Sequence, residues 1–490
     1  MRPLRVCHVA ATTEGATWMF EQLRQLRNRY GYEVTAVVSG AQGGLVEKLR
    51  AEKIPFYVFD FSFNSVSDIL SLPKKILALA RFFRRQRFDI AQTHLFHSMI
   101  IGRIAAWLAD VPLRLSMITG PFHLEAYTPR WVDLSTCWMD NKIIASCEYT
   151  RTLYKRLGIK DKQLTVIYYG PDAAKFDPSG ISPAAIRQEL GWPADSPVIV
   201  MVAYFYPRLI RSRWIPPMLW NRAAKGHEYL IQAMPLVLSE FPKAKCLLVG
   251  SGWEGGGEKY LSEMKELVRS LRLEESVEFS GFRSDVNNIL RAADVSVQPS
   301  LNENLGGTIE SLLMERPMVA TRVGGMTDSV RNGETGVLVD PANAEDLARG
   351  ILELLRNPEL AHDLARNGRS LMLAHFTLER TVENLSNLYE GEHAPKKINR
   401  GYRLYVFLWH LLIALPLAVY MLLRLVLVDT YWLNRWDAGW RPWHIFSPRR
   451  LWRMIQQIIY RVYGFLRRCL AGTRLLAAWD RFFAKIRGRV

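Results

Sequence analysis

The sequence has few cysteines, and they form no pattern that would build a site. Its 490 residues include five cysteines, all widely separated. No C-x-x-C pair and no cluster of histidine with cysteine occurs, so neither a disulfide framework nor a zinc site is indicated. The scattered, odd number of cysteines fits a reducing compartment.

Other absences exclude further classes of protein. The opening residues, MRPLRVCHVAATTEG, lack the apolar core of a secretory signal peptide and are typical of the first strand of a fold. No zinc-finger, helix-turn-helix or RNA-recognition pattern is visible, so nucleic acid is not an expected partner. The oligomeric state is not indicated by any feature of the sequence.

Acidic residues are scarce at the carboxyl end of the chain. From Pro395 onward there are 18 Lys and Arg against 3 Asp and Glu, whereas the first 394 residues hold 46 against 44. The net charge of +17 therefore lies almost entirely in the tail. Such asymmetry indicates that the tail alone contacts an anionic surface.

Long apolar runs are absent except at 404–428. Leu404 to Leu423 spans 20 residues, with His410 as its sole ionisable group, and as a helix it would be about 30 Å long, the thickness of a bilayer core. Pro416 allows either a kinked span or a re-entrant hairpin. Basic residues flank both ends, so the positive-inside rule does not decide between them.

Aromatic and basic residues follow this run. Several tryptophans come first, and from Arg449 one stripe of arginines and one of aliphatic residues alternate at helical spacing. This pattern predicts a helix lying in a membrane surface. We expect residues 400–490 to hold the protein on the cytoplasmic face of a membrane, as a peripheral or monotopic tail or as a single-pass span. A helical domain packed on the body is the alternative.

The remainder of the chain alternates short apolar runs with amphipathic stretches, twice over. Seven strand candidates lie in 1–172 and six in 195–376, separated by a stretch rich in Pro, Gly and Asp that indicates a linker. This alternation predicts an α/β fold with two parallel, Rossmann-like domains facing a cleft. We also predict that a helix over 377–394 crosses back to the first domain.

The segment with the most candidate functional residues is DVSVQPSLNENLGGTIESLLMERPMVATRVGG. A predicted strand ends at Pro299, and a glycine-containing loop leads into a helix near Thr308. Backbone N–H groups of Leu305, Gly306 and Gly307 would cradle an anion such as a diphosphate. Glu310 then either accepts hydrogen bonds from sugar hydroxyls or is only a helix N-terminal acid favoured by the macrodipole.

This segment resembles the C-terminal domain of family 4 glycosyltransferases, which are retaining enzymes of GT-B fold. The matching motifs are Pro299-Ser300, ENLGG, Glu310-Ser311, PMVAT and Gly324-Gly325. The resemblance covers about 195–390 and, more weakly, 1–170. It implies a hexosyltransferase-like enzyme (EC 2.4) that takes a sugar from a nucleoside-diphosphate sugar.

By this resemblance, Lys225 of the Lys-Gly pair lies on the donor diphosphate and Glu310 binds the donor ribose. The family spaces its two glutamates eight positions apart, but Glu303 and Glu310 are seven apart. The first acid, which contacts the donor sugar, is either Glu303 in a shortened loop, which we favour, or is replaced by Asn302. An arginine should accompany Lys225. The enlarged segment before it offers Arg208, Arg211, Arg213 and Arg222, of which Arg222 is nearest in sequence.

Other candidates follow the remaining predicted strands. Gly15, after the first strand, would face the donor phosphates or only form a turn. His123 would contact the transferred sugar, as a histidine of this region does in the family, or be structural. Gly250 would lie near the nucleotide, and Phe282 would flank the base.

The sequence therefore predicts sugar transfer from a nucleotide-sugar donor to a membrane-associated acceptor, either a lipid-linked saccharide or a polysaccharide intermediate. Neither a metal nor a cofactor is expected, since cationic side chains can carry the charge of the leaving group. The alternatives are a GT-B sugar-nucleotide epimerase and a non-catalytic membrane scaffold with a degenerate donor site.

Overall fold

The computed structural model describes residues 2–63 and 66–392. In the first domain, seven strands form one parallel sheet in the order β3-β2-β1-β4-β5-β6-β7. They are β1 (Arg5–Ala10), β2 (Glu33–Val38), β3 (Phe56–Val58), β4 (Ile90–His94), β5 (Leu113–Ile118), β6 (Lys142–Ala145) and β7 (Leu164–Val166). The central strands are buried on both faces, as a parallel sheet covered by helices requires.

Helices cover both faces of this sheet. They are α1 (Thr17–Tyr30), α2 (Gly44–Ala51), α3 (Val66–Gln86), α4 (Phe96–Leu108), α5 (Phe122–Glu125), α6 (Tyr127–Thr136) and α7 (Glu148–Arg156). Leu23 and Leu45 lie in the apolar core on one face. Phe83 and Ile101 lie in the core on the other face. Right-handed crossover connections between parallel strands produce this three-layer arrangement.

The stretch between the domains is not a featureless linker as the sequence predicted. It contains α8 (Pro183–Glu189), which begins with a proline whose fixed φ suits the first helical turn. Ile186 of this helix is buried beside Val198 and Leu290 of the second domain. Because α8 is only 7 residues long, it is too short to show a helical apolar period in the sequence.

The second domain has a six-stranded parallel sheet in the order β10-β9-β8-β11-β12-β13. Its strands are β8 (Val198–Val202), β9 (Lys245–Val249), β10 (Val277–Gly281), β11 (Val295–Gln298), β12 (Met318–Thr321) and β13 (Val337–Val339). Its helices are α9 (His227–Glu240), α10 (Glu254–Ser270), α11 (Val286–Ala292), α12 (Thr308–Leu313), α13 (Met326–Ser329), α14 (Ala344–Arg356) and α15 (Pro358–His375).

The last described helix, α16 (Leu378–Glu392), returns to the first domain. Val382 and Leu385 are buried in the first domain's core. The hydroxyl of Tyr389 donates to Gln92 Oε1 at 2.7 Å, and those of Tyr32 and Ser386 are 2.7 Å apart. The chain therefore begins and ends its described part in the same domain.

The predicted pair of Rossmann-like α/β domains is confirmed, with the seven and six strands that the sequence predicted for them. Strand order reverses between β1 and β4 in the first sheet and between β8 and β11 in the second. Ligands of such folds bind at these switch points. The predicted membrane tail at 400–490, including 404–428, lies outside the described residues. Within the described part of the chain, no helix combines the length and apolar character needed to cross a membrane.

Candidate active site

The Lys-Gly pair before α9 is fixed against the end of β11. Gly226 has φ +73°, and a β-carbon there would lie 2.1 Å from the carbonyl oxygen of Pro299. Only glycine permits both this conformation and this approach. The backbone N–H of Leu301 also donates to the carbonyl of Ala224 at 2.8 Å. Lys225 is thereby held beside the loop that follows β11.

Lys225 forms an ion pair with Glu303 of that loop. Its ammonium donates to Glu303 Oε2, and the two side chains are 20% and 14% exposed. Burial disfavours the charged ammonium, but the charge of Glu303 and this hydrogen bond outweigh it, so the pKa of Lys225 is raised. Lys225 is therefore fully cationic at neutral pH.

Glu310, in the first turn of α12, lies next to this pair. Burial, reinforced by the carboxylate of Glu303 and opposed by Lys225, raises the pKa of Glu310 to about 7. Its Oε2 is buried and has no hydrogen-bond partner among the described residues. Buried acceptors without a partner are uncommon, so this oxygen is the least satisfied polar atom of the cluster.

Asn302 and Glu303 have different partners. The side-chain amide of Asn302 donates to Glu125 Oε2 of the first domain, whereas Glu303 contacts Lys225. The backbone of Glu303 is held closely, since a β-carbon on Gly324 would lie 1.8 Å from the Glu303 carbonyl oxygen. The loop thus places Glu303, and not Asn302, beside Lys225, the residue predicted to bind the diphosphate.

A cavity of about 410 Å³ lies between the domains next to this cluster. The first domain contributes Thr17, Trp18, Glu21 and Thr119, and the connecting segment contributes Tyr169, Gly170, Pro171, Asp172, Lys175 and Phe176. Asn304, Leu305, Gly306, Ile309 and Glu310 come from the second domain, and Leu378 comes from the start of α16. The buried carboxylate of Glu310 is therefore reached from the crevice between the domains.

The predicted anion loop lies at this cavity. Leu305 and Gly306 line it, and Gly307 precedes the first residue of α12. On the facing domain, Gly15 has φ +69° in the turn between β1 and α1, two residues before Thr17 of the cavity wall. The structure therefore brings the two predicted phosphate-facing loops to one crevice.

His123 is bound into the interior of the first domain. Its Nε2 is 3.3 Å from Asp133 Oδ2 and 3.3 Å from the hydroxyl of Tyr154. Asp133 is fully buried and paired with buried Arg103 at 2.7 Å. Burial opposes ionisation of Asp133, but Arg103 outweighs it, so the pKa of Asp133 is lowered. The described hydrogen bonds of His123 thus use Nε2 alone and hold the imidazole in place, and its contact with the transferred sugar stays a prediction.

Arg222 is not brought into the Lys225 cluster. It is exposed, with Nη1 3.4 Å from Met218 Sδ, and its backbone pairs with Leu209. It lines a second cavity of about 660 Å³, whose walls include Arg208, Glu228 and Glu263. Arg208 pairs with both of these glutamates. Among its described contacts, Arg222 has none with Lys225, Glu303 or Glu310, which its position in the sequence could not show.

The same enlarged segment reaches the first domain. The backbone N–H of Thr128 donates to the carbonyl of Arg213 at 3.0 Å, and the Trp214 ring lies 6.5 Å from Phe96. The Trp220 indole donates to the carbonyls of Ser212 and Ile215. The segment is therefore an ordered bridge between the domains.

Aromatic side chains surround the predicted base position. Phe282 is 62% exposed and stacks on Tyr204 with ring centroids 6.4 Å apart. Trp253, close after Gly250 and its φ of +147°, lies 4.9 Å from Tyr204. The Lys225 ammonium is 5.8 Å from the Tyr206 ring. These tyrosines and Trp253 were not among the residues predicted from the sequence, although the run AYFYP directly after β8 is an aromatic signal at a strand end.

No metal centre is apparent in the described ranges, where no group of three or more His, Cys, Asp or Glu side chains is placed to hold an ion. The cysteines at positions 7, 137, 147 and 246 are free and buried. Burial raises the pKa of each of these thiols, which keeps them protonated.

Two family models match the chain, one in each domain. Residues 14–170 match a glycosyl transferase 4-like domain, and residues 221–371 match the glycosyl transferases group 1 family. This chain is a glycosyltransferase of family 4 with the GT-B fold. The enzyme class and the fold that the resemblance implied are therefore confirmed.

Curated relatives of this glycosyltransferase cover most of both domains. The UDP-Gal:alpha-D-GlcNAc-diphosphoundecaprenol alpha-1,3-galactosyltransferase of Escherichia coli is 25% identical over 329 residues, 64% of this chain and 79% of the relative. The lipopolysaccharide core biosynthesis glycosyltransferase LpsE of Rhizobium meliloti is 26% identical over 371 residues, 75% of this chain and 94% of the relative.

Solved structures share the fold. Anabaena Alr3699/HepE in complex with UDP and glucose has a TM-score of 0.65 and 19% identity, covering 79% of this chain and 99% of the other. Sucrose-phosphate synthase from Thermosynechococcus elongatus has a TM-score of 0.64 and 20% identity, covering 79% and 98%. At these identities the likeness concerns the fold alone.

Proposed function

We propose that this glycosyltransferase moves a sugar from a nucleoside-diphosphate sugar to a membrane-associated acceptor. The observation that carries the proposal is the ion pair of Lys225 with Glu303 next to the crevice that Leu305, Gly306 and the unpartnered carboxylate of Glu310 line. A cation, two carboxylates and a glycine loop in this neighbourhood suit the diphosphate, ribose and sugar of a sugar nucleotide.

Each group has a proposed partner. Lys225 holds the diphosphate and stabilises the negative charge that develops as it leaves. In this arrangement the loop at 305–307 lies along the phosphates, and its residues Leu305 and Gly306 line the cavity together with Thr17, two positions after Gly15. Glu310 Oε2 accepts a hydrogen bond from a ribose hydroxyl, which satisfies the buried oxygen. Glu303 accepts hydrogen bonds from the donor sugar.

The aromatic residues after β8 and β10 suit the base of the donor. Phe282 is exposed and stacked on Tyr204, and Trp253 closes the same cluster. Ring stacking can bind any base through its π-face. This cluster would therefore bind the donor base without selecting one base over another. UDP is bound by the Anabaena protein of the same fold, which makes a uridine donor the first to test.

In the proposed reaction an acceptor hydroxyl oxygen bonds to the anomeric carbon of the sugar. The bond from that carbon to the β-phosphate oxygen breaks, and the hydroxyl proton passes to the released diphosphate. The anomeric configuration is retained, as the resemblance implies. No metal or cofactor takes part in this scheme, because Lys225 supplies the positive charge.

The proposed acceptor is a lipid-linked saccharide or a polysaccharide intermediate. One relative is named for an undecaprenol-linked substrate and another for lipopolysaccharide core synthesis. The tail, with 18 basic and 3 acidic residues from Pro395 onward, suits an anionic membrane surface. The proposed location is therefore the cytoplasmic face of a membrane, with peripheral association.

The outer face of α3 supports this location. Leu70 and Leu77 are 70% and 47% exposed, and Lys74, Arg81 and Arg85 are exposed on the same helix. These five residues recur at intervals of three or four, so they share one face. Apolar and basic side chains on a single face are typical of helices that lie on anionic lipid.

A screen of nucleotide sugars against the purified full-length chain tests the proposal. A donor bound by the native state should raise the unfolding temperature, and the same donor should give product only when a lipid-linked acceptor is added. Donor hydrolysis or isomerisation without acceptor would instead favour an epimerase. Absence of any turnover, with donor binding intact, would favour a scaffold.

A further inference from the structure

We infer that Glu303 has a second role. After sugar transfer its carboxylate re-forms the ion pair with Lys225, which weakens the contact of Lys225 with the diphosphate and so promotes release of the nucleoside diphosphate. This role rests on the proposed function, in which Lys225 binds the donor diphosphate. The starting observation is the direct contact between the Lys225 ammonium and Glu303 Oε2.

This contact conflicts with the donor-bound arrangement. A carboxylate and a diphosphate are both anions and compete for the same ammonium. The two side chains are only 20% and 14% exposed, so solvent screens the pair less than it screens a surface ion pair. The Glu303 carboxylate therefore weakens the hold of Lys225 on a diphosphate for as long as the two side chains are in contact.

The exchange requires rotation of one side chain and no movement of the loop. The Glu303 carbonyl is held against Gly324. Asn302 is bonded to Glu125, and Asn304 to Ser146 at 2.9 Å. With the backbone fixed on both sides of Glu303, only its side chain is free to change position.

Two further bonds favour the position of the carboxylate beside Lys225. Its Oε1 accepts from the backbone N–H of Asn304 at 3.2 Å, and its Oε2 is 3.4 Å from the hydroxyl of Ser300. These bonds belong to the position next to Lys225, so they favour the return of Glu303 to the lysine once the sugar has left.

The consequence is a preference for substrate over product. While the donor sugar is present, its hydroxyls donate hydrogen bonds to the Glu303 carboxylate, and the Lys225 ammonium remains in contact with the diphosphate. After transfer the sugar leaves on the acceptor, the hydroxyls are gone, and Glu303 again competes for Lys225. The released nucleoside diphosphate is thus held less tightly than the intact donor.

Isothermal titration of the full-length chain with uridine, guanosine and adenosine diphosphates tests this. For the nucleotide that binds, Glu303→Ala should bind it roughly fivefold more tightly than wild type, the ratio that corresponds to about 1 kcal/mol for a partly exposed pair. Lys225→Ala should bind more weakly, and the double variant no more tightly than Lys225→Ala, because the gain acts through the lysine.

Glu240→Ala is the matched control. It removes an ion-paired carboxylate of the same domain, on Arg356 and outside the crevice, and should leave the affinity unchanged. Equal or weaker binding by Glu303→Ala would overturn the inference, as would an equal gain for the free nucleoside. If wild type binds none of the three diphosphates, the proposed function itself fails.

Discussion

The two domains use their buried charges differently. In the first domain, Arg103 is buried between Asp133 and Asp140, and His123 is bonded to Asp133. In the second, Lys225 and Glu303 form a partly exposed pair, and Glu310 keeps an oxygen without a partner. Asp140 Oδ1 and Glu310 Oε2 both lack a hydrogen-bond partner among the described residues. Asp140 is enclosed in the interior beside Arg103, whereas Glu310 lines the crevice, so only the second network has an acceptor that a ligand can reach.

The largest expected effect tests the structural network. Arg103→Met leaves two buried carboxylates without their cation, which should destabilise the first domain by about 3–5 kcal/mol. Denaturant unfolding followed by circular dichroism measures this loss. Arg151→Met removes an arginine from a partly exposed ion pair of the same domain, and a change within about 1 kcal/mol is expected there. Similar losses for both variants would contradict the structural role of the Arg103 network.

The next effect tests the crevice of the second domain. Lys225→Ala removes the proposed charge on the leaving diphosphate and should lower kcat by about 10²–10³-fold. Initial rates of acceptor-dependent product formation measure it, with circular dichroism to verify the fold. Lys243→Ala, which loses only a surface pair with Asp195, should keep full activity. An active Lys225→Ala enzyme would remove the basis for the proposed diphosphate site.

Substitution of Glu310 should raise the stability of the chain, in contrast to substitution of Arg103. Its pKa is raised from 4.5 to about 7 in the folded chain, so the unfolded chain releases the proton first as the pH rises. Stability should therefore fall between about pH 4.5 and pH 7 because of this group, and Glu310→Gln should be more stable than wild type at pH 8 by about 2–3 kcal/mol.

Below pH 4.5 the Glu310→Gln advantage should vanish, since both states of the wild-type group are then protonated. The variant should also lose transfer activity, which would show that the buried carboxylate is kept for function at the expense of stability. Unfolding curves at pH 4 and pH 8 make the comparison, and an equal difference at both values would argue against a buried, titrating Glu310.

The smallest effect concerns the outer face of α3. Leu77→Ser combined with Arg81→Glu should lower transfer to an acceptor in anionic vesicles several-fold, because apolar insertion and charge attraction are both lost. Transfer to a short soluble acceptor should not change. Leu360→Ser with Arg366→Glu, on α15 of the second domain, is the matched control. Equal losses of transfer activity with both acceptors would show that the α3 substitutions impair the enzyme itself and not its binding to the membrane.

Much of the fold could be predicted from the sequence, since buried parallel strands appear as short apolar runs such as Val198–Val202. The loop around Gly306 and Glu310 was identified through its motif. By contrast, the contact between Lys225 and Glu303 joins residues 78 positions apart. The interior bonding of His123 depends on Asp133 and Tyr154, which belong to other helices. Such long-range contacts follow from the packing and leave no local pattern.

Arg222 shows the same limit within a single loop. It is three positions from Lys225, yet the backbone pairing with Leu209 directs it to a different cavity. The helix at 183–189 was missed because its few residues carry no clear period. Position along the chain therefore indicated which loops meet, but not which way each side chain points.

A structure of the chain with the bound nucleoside diphosphate selected by titration tests the central claim most directly. The proposal predicts that the diphosphate contacts the Lys225 ammonium and the loop at 305–307, with a ribose hydroxyl on Glu310. A diphosphate bound instead in the second cavity, between Arg208 and Arg222, would contradict the assignment of the crevice as the donor site.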